Sequence, residues 1–71
     1  MREFVVIYEE GPTSWGAYVP DLPTCVAVGK TFEEVQGLIS EAISLYIETL
    51  KEDGKLIPEP VTQVGRVSVA V

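Results

Sequence analysis

The triplet Gly29-Lys30-Thr31 is the part of this sequence that most resembles a nucleotide-binding motif. A P-loop requires another glycine ahead of the triplet, with four residues between, because its backbone N–H groups must curl around phosphates. Thr24 occupies that position, and the intervening Cys25 to Val28 are small or strand-forming. The spacing instead predicts a helix start. The Thr31 hydroxyl would accept the amide of Glu34, whose carboxylate would reach back to the Thr31 N–H.

Nucleophilic and metal chemistry have little support in the composition. The chain contains one cysteine, Cys25, and no histidine. A thiol nucleophile would have no imidazole base, and neither an internal disulfide nor an ordinary zinc site can form. The acidic residues fall at strand ends, in a loop and along a helix, whereas a metal-dependent nuclease needs carboxylates that converge from strands. We therefore expect no catalytic residues, no metal, no cofactor and a buried structural role for Cys25.

The charge of the chain restricts its partners. Eleven acidic and five basic residues give a formal net charge of −6. Nucleic-acid binding requires a basic surface, so this chain alone is not expected to bind DNA or RNA directly, and a basic protein is the better-suited partner. Neither a signal peptide nor an apolar run of membrane-spanning length is visible. With a lone thiol, this predicts a cytoplasmic protein without membrane contact.

The first half of the chain is predicted to form three antiparallel strands. The segments Glu3–Glu10 and Trp15–Pro20 are rich in strand formers and flank a turn at Gly11–Ser14. The prolines of Pro20–Pro23 lack N–H donors, which predicts a rigid connection outside the sheet. A third strand is expected over Cys25–Gly29.

The second half is predicted to form one helix and a fourth strand. The helix is expected from Phe32 to Asp53, with Gly54 as the residue that ends it. An extended linker precedes the segment Gly65–Val71, in which valines alternate with polar or small residues. The order βββαβ predicts one domain over residues 1–71, an α+β two-layer sheet-plus-helix fold with the last strand parallel beside the first.

The helix carries more apolar surface than one sheet can cover. At 100° per residue its apolar positions span about 200°, while a helix on a sheet needs an arc somewhat over 100°. The excess lies around Ile43 and Ile47. Because a chain this small gains little stability from its own core, we expect these residues to lie in an interface between copies.

Two sets of acidic residues have alternative interpretations. Asp21, between prolines, either accepts a hydrogen bond from the turn backbone or is displayed for recognition. Glu41, Glu48 and Glu52 form either a solvated helix face or a surface complementary to a basic partner. The sequence alone leaves both questions open.

Three segments together resemble the HicB-like antitoxin family: "YVPDLPTCVAVGKTFEEV", "EAISLYIETLKEDGKLIPEP" and the closing valine strand. The family pattern runs from a tyrosine and Pro-Asp-Leu-Pro to a cysteine and Gly-x-Thr-x-Glu-Glu, followed by a helix and Ile-Pro-x-Pro. It falls here on Tyr18, Pro20 to Pro23, Cys25, Gly29, Thr31, Glu33, Glu34, Glu41, Ala42, Tyr46, Gly54, Ile57, Pro58 and Pro60.

The resemblance implies a partial ribonuclease-H-like fold, found as dimers or tetramers, that binds a small basic HicA-type toxin and blocks its RNA cleavage by occlusion. Asp21, Glu41, Glu48 and Glu52 are the expected partner-binding residues, and Ile43 and Ile47 the expected oligomer contacts. Many family members continue into a DNA-binding domain, which is not expected after Val71. The alternative is a free-standing homo-oligomer of this fold with no toxin partner and an unknown binding role.

Overall fold

A computed structural model describes residues 2–71 of the chain. Three strands, β1 (Ile7–Glu10), β2 (Trp15–Val19) and β3 (Leu22–Gly29), precede one helix, α1 (Phe32–Glu52). The strands form an antiparallel sheet in the order β1-β2-β3, and α1 packs across β2 and β3. The predicted α+β arrangement of a sheet and one helix is confirmed.

The β1–β2 hairpin follows the prediction with a shorter first strand. The Gly11 N–H donates to the Ser14 carbonyl at 2.8 Å, which closes the predicted turn. Ile7 pairs with Tyr18 and Glu10 with Trp15. The first strand was predicted from Glu3, but its ladder begins only at Ile7, opposite Tyr18, which is the penultimate residue of β2.

The predicted break at Pro20–Pro23 is wrong in its second half, since β3 begins at Leu22 and includes Pro23. The register shifts here, from Tyr18 opposite Val26 to Val19 opposite Leu22. In the described sheet β3 lies at an edge, where a missing N–H costs no ladder bond on the open side. The proline is therefore tolerated inside the strand.

The core lies between the sheet and the helix. Its fully buried members come from β2, β3 and α1, and they are Ala17, Val19, Leu22, Cys25, Val35 and Ile39. At the end where the helix starts, the Phe32 ring packs against Tyr8 at 4.8 Å and Trp15 at 5.2 Å between ring centroids. These contacts explain why the aromatic residues near the hairpin are half-buried rather than displayed.

The helix is capped at both ends. The Thr31 hydroxyl accepts the Glu34 amide at 3.1 Å, as predicted. The Glu34 carboxylate reaches the N–H of Lys30 at 3.3 Å instead of that of Thr31, so the reciprocal bond falls one residue earlier than predicted. Gly54 has φ of +68°, and its N–H donates to Lys51 while that of Lys55 donates to Leu50. This is a Schellman motif, in which a glycine is favoured.

The fourth strand predicted over Gly65–Val71 is not formed within the described chain. Residues 55–71, here called the C-terminal arm, have no regular secondary structure, and 63–71 are exposed throughout. As a result β1 lies at a sheet edge, not at the centre as predicted. Alternation of valines predicts which side chains share a face, but it does not specify the strand edge with which the segment pairs.

Candidate partner-binding surface

Asp21 holds the C-terminal arm to the end of the sheet. Its two carboxylate oxygens accept hydrogen bonds from Thr62, one from the backbone N–H at 3.1 Å and one from the hydroxyl at 2.9 Å. Both residues are half-buried. Thr62 lies 41 residues along the chain, so this contact is not the local turn bond predicted for Asp21. A role of Asp21 in binding another protein stays a prediction.

A second contact ties the arm to the start of the chain. The Arg2 guanidinium donates to the Glu59 carboxylate at 2.9 Å, with both side chains substantially exposed. An exposed pair of this kind contributes at most about 1 kcal/mol. The arm therefore crosses from the end of α1 past Arg2 to the β2–β3 turn, where the stronger contact with Asp21 fixes its position.

The three predicted acids on α1 lie together on the solvent side. Glu41, Glu48 and Glu52 are exposed and follow the helical spacing of i, i+7 and i+11, which places them in one stripe. Leu45 lies inside the same stripe and is 64% exposed. Among residues 2–71 the single ion pair is Arg2–Glu59, so within this range the stripe is not neutralised. It offers negative charge around one apolar side chain.

Ile43 and Ile47 line the opposite border of the helix. They are half-buried and, with Phe4 and Ile57, form the apolar part of an open groove of about 450 Å³. Its charged lining consists of Arg2, Lys51 and Glu48, so the groove and the acidic stripe share Glu48. The groove lies between the segment that leads into β1 and the second half of the helix. The wide apolar arc predicted on α1 thus divides into a buried stripe and a border that remains accessible.

The sheet has an accessible apolar face that the sequence analysis did not identify. On the side away from α1, Tyr18 is 41% exposed, Val26 64% and Val28 68%. Their partners in the ladder, such as Ile7 opposite Tyr18, add to this face. The signal was present in "CVAVG", where apolar residues occupy both phases of the alternation.

Cys25 is buried in the core, as predicted, at 3% exposure. Its Sγ donates weakly to the Ala42 carbonyl of α1 at 3.9 Å. Burial removes water from the thiolate form and raises the pKa of Cys25 above its ordinary value. The thiol is therefore protonated and unreactive at neutral pH, because the thiolate is the nucleophilic form.

Residues 2–71 contain neither a cluster of metal ligands nor a helix apolar enough to span a membrane. No three His, Cys, Asp or Glu residues among 2–71 lie close enough together to hold a metal ion. The helix in this range is too polar to cross a bilayer. The accessible features are thus an acidic stripe, an apolar groove, an apolar sheet face and the arm, all of which suit contacts with another protein.

Comparison with known proteins assigns the chain to a family. The model of a HicB-like antitoxin of bacterial toxin-antitoxin systems matches residues 4–69. A UPF0150 protein of Thermoplasma acidophilum is 40% identical over 58 residues, covering 82% of this chain and 84% of that protein. One from Archaeoglobus fulgidus is 35% identical over 66 residues, covering 90% and 96%. One from Synechocystis is 36% identical over 67 residues, covering 94% and 85%.

No solved structure matches the chain significantly. The family match nevertheless spans the hairpin, the helix and most of the arm, including the resemblance found from Tyr18 to Pro60. Membership of an antitoxin family indicates a non-catalytic role and a toxin as partner. The chain belongs to the HicB-like antitoxin family.

Proposed function

We propose that this protein is an antitoxin that neutralises a small basic HicA-type RNA-cleaving toxin in the cytoplasm by covering the surface that binds and cleaves RNA. The observation that carries the proposal is the stripe of Glu41, Glu48 and Glu52, which is exposed, acidic and without a salt-bridge partner among the described residues. A toxin that holds RNA needs a basic surface, and the stripe is complementary to such a surface.

The stripe combines the two features that a competitive protein interface needs. Its charges attract a basic partner over a distance of about 8–10 Å at physiological salt, which accelerates encounter. Leu45, at the centre, can be buried on contact and slow dissociation. Occlusion requires no catalytic group on the antitoxin. It requires only that the antitoxin compete with RNA for the same cations.

The test uses the toxin-like protein encoded beside this chain. We expect the two proteins to co-purify and RNA cleavage by the toxin to fall when both are present. The double variant Glu41→Lys/Glu52→Lys changes the two stripe residues that do not line the groove. It should slow association and weaken inhibition by about tenfold or more, since each reversed contact costs on the order of 1 kcal/mol. Raising the salt concentration should weaken the unmodified pair as well.

The matched control is Glu10→Lys/Glu33→Lys, which changes the net charge equally at positions outside the stripe. It should retain most of the inhibition. Equal losses in both double variants would mean that overall charge, not the stripe, carries the interaction. If no neighbouring toxin exists, or if RNA cleavage is unchanged on co-expression, the antitoxin proposal fails and a free-standing oligomer with another binding role replaces it.

We include self-association in this proposal. Ile43 and Ile47 border an accessible apolar groove on each chain, and a 71-residue protein has a small core of its own. A dimer or tetramer would cover this groove together with Glu48, and it would leave Glu41 and Glu52 of the stripe open to the toxin.

A further inference from the structure

The C-terminal arm extends well beyond the body of the molecule. The radius of gyration is 14.1 Å, compared with about 11 Å expected for a compact domain of this length. The longest dimension is 49 Å, whereas α1, with 21 residues, is about 32 Å long. After Thr62 every residue is exposed, including Val67 at 87% and Val69 at 71%. A segment with this many exposed valines is uncommon on the surface of a monomer.

The sequence of the arm is that of a strand with one apolar face. Val67, Val69 and Val71 share one side, and Arg66 and Ser68 share the other. A strand needs a neighbouring edge with which to exchange hydrogen bonds, and none is paired with it in the described chain. The missing element is therefore an edge, and not a strand-forming sequence.

From this we infer that the arm of each chain adds to the open edge of β1 in a second copy, so that two molecules exchange their last strands. Of the two open edges, that of β3 contains Pro23, which cannot donate to a new neighbour. The edge of β1 contains no proline. The groove lined by Phe4, Ile43 and Ile47 lies at the segment that leads into this strand, and the valines of an added strand that continues past Ile7 would fill it.

Charge supports the same edge. Arg66 is the only charged residue of the segment 63–71, and it has no salt-bridge partner among the described residues. In β1, Tyr8 packs against the core on the helix side, so Ile7 faces away from the helix. Glu9, two residues after Ile7, lies on the same outer face as Ile7. When the valines face the groove, Arg66 faces the side that carries Glu9. The strand β3 has no charged residue to offer.

The anchor at Thr62 favours a second copy over the chain's own edge. Its two bonds to Asp21 fix the arm at the β2–β3 turn, on the far side of β2 from the open edge of β1. To reach its own edge the chain would have to break these bonds or reverse within a few residues. Exchange between two copies keeps them, and it gives an isologous interface in which both edges are paired. This inference rests on the self-association proposed above, and it does not depend on binding of a toxin.

The first experiment is sedimentation of the full chain at micromolar concentration. We expect a dimer or a multiple of it, and Val67→Lys/Val69→Lys should raise the dissociation constant more than about tenfold, since two apolar contacts are lost. Both positions are exposed in the single chain, so the variant keeps its fold, as circular dichroism will verify. The matched control is Ser68→Lys, on the other face, which should leave the dimer intact.

A charge exchange tests the edge itself. Arg66→Glu and Glu9→Arg should each weaken the dimer by about threefold to fivefold, and the double variant should restore it. Mixed samples of isotope-labelled and unlabelled chains should give nuclear Overhauser contacts between the arm and β1 of different molecules. A monomer of 7.8 kDa, a dimer insensitive to the valine substitutions, or contacts confined to one chain would each overturn the exchange. If the double variant does not restore the dimer and the nuclear Overhauser contacts join only the two arms, pairing at β1 is overturned.

Discussion

The body of the molecule, from β1 to the end of α1, and the C-terminal arm have similar hydrophobic content but different outcomes. In the body the apolar side chains of Ala17, Leu22 and Ile39 pack together between the sheet and the helix and are buried from water. In the arm Leu56, Val67 and Val69 meet solvent. The difference shows that an apolar pattern becomes a core only where the same chain supplies the opposing surface. The arm is patterned for a surface that the single chain does not supply.

The largest expected effect is on the core of the body. Leu22 is completely buried, so Leu22→Ala should lower the free energy of unfolding by about 2–5 kcal/mol through lost burial and the cavity left behind. The same change at Leu56, which is 93% exposed in the arm, should cost less than about 0.5 kcal/mol. Chemical denaturation of both variants provides the comparison. Similar losses would mean that the arm is packed in solution.

A second comparison concerns two glycines with different surroundings. A Cβ on Gly29 would lie 3.1 Å from both the Val35 backbone nitrogen and the Glu34 carboxylate, where β3 meets the start of α1. Gly29→Ala should therefore destabilise the body by about 1–3 kcal/mol. Gly37 is exposed on the helix with nothing within 4 Å of such an atom, and Gly37→Ala should stabilise by up to about 1 kcal/mol. The midpoint temperature of thermal unfolding should fall in Gly29→Ala and rise in Gly37→Ala.

The boundary between the two regions is the contact of Asp21 with Thr62. In Asp21→Asn the carboxylate becomes a neutral amide, which can accept the Thr62 N–H and donate to the Thr62 hydroxyl. Two charge-assisted bonds thus become weaker neutral bonds, at a cost of about 1 kcal/mol. Hydrogen exchange at the Thr62 amide should quicken, and proteases should cut the arm faster. Asp53→Asn, at the exposed end of α1, is the control and should leave the arm unchanged. An unchanged exchange rate at Thr62 would show that the prolines of the linker, not Asp21, position the arm.

The sequence predicted the body better than the arm, and for physical reasons. The cap at Thr31, the Schellman glycine Gly54 and the Gly11–Ser14 turn are local, so a few residues contain the whole signal. Hydrophobic periodicity also places Val35 and Ile39 in the core. The strand Gly65–Val71 depends on a distant edge, and the contact between Asp21 and Thr62 spans 41 residues. Neither partner can be found from spacing.

The candidate site was predicted in part for a similar reason. Exposure of Glu41 and Glu48 follows from helical geometry, and the position of Ile43 at the border of the apolar arc follows from the same geometry. The apolar face formed by Tyr18 and Val26 was missed because the sequence does not show that only one face of this sheet is covered by a second layer. Which of these surfaces meets a toxin stays a prediction, since a binding surface is defined by its partner.

The smallest expected effect concerns the one buried thiol. Because burial raises the pKa of Cys25 in the folded state, the unfolded state releases the thiol proton at lower pH. The stabilising contribution is thus complete below the ordinary thiol pKa and declines as pH rises through it towards the higher folded value. Relative to Cys25→Ala, the unmodified chain should lose stability on going from neutral to alkaline pH under reducing conditions. Denaturation of both proteins across this range measures the difference, and all other titrating groups cancel.

A difference independent of pH would mean that the thiol ionises equally in both states. The arm, with no cysteine, should contribute nothing to this difference, so the measurement reports on the body alone.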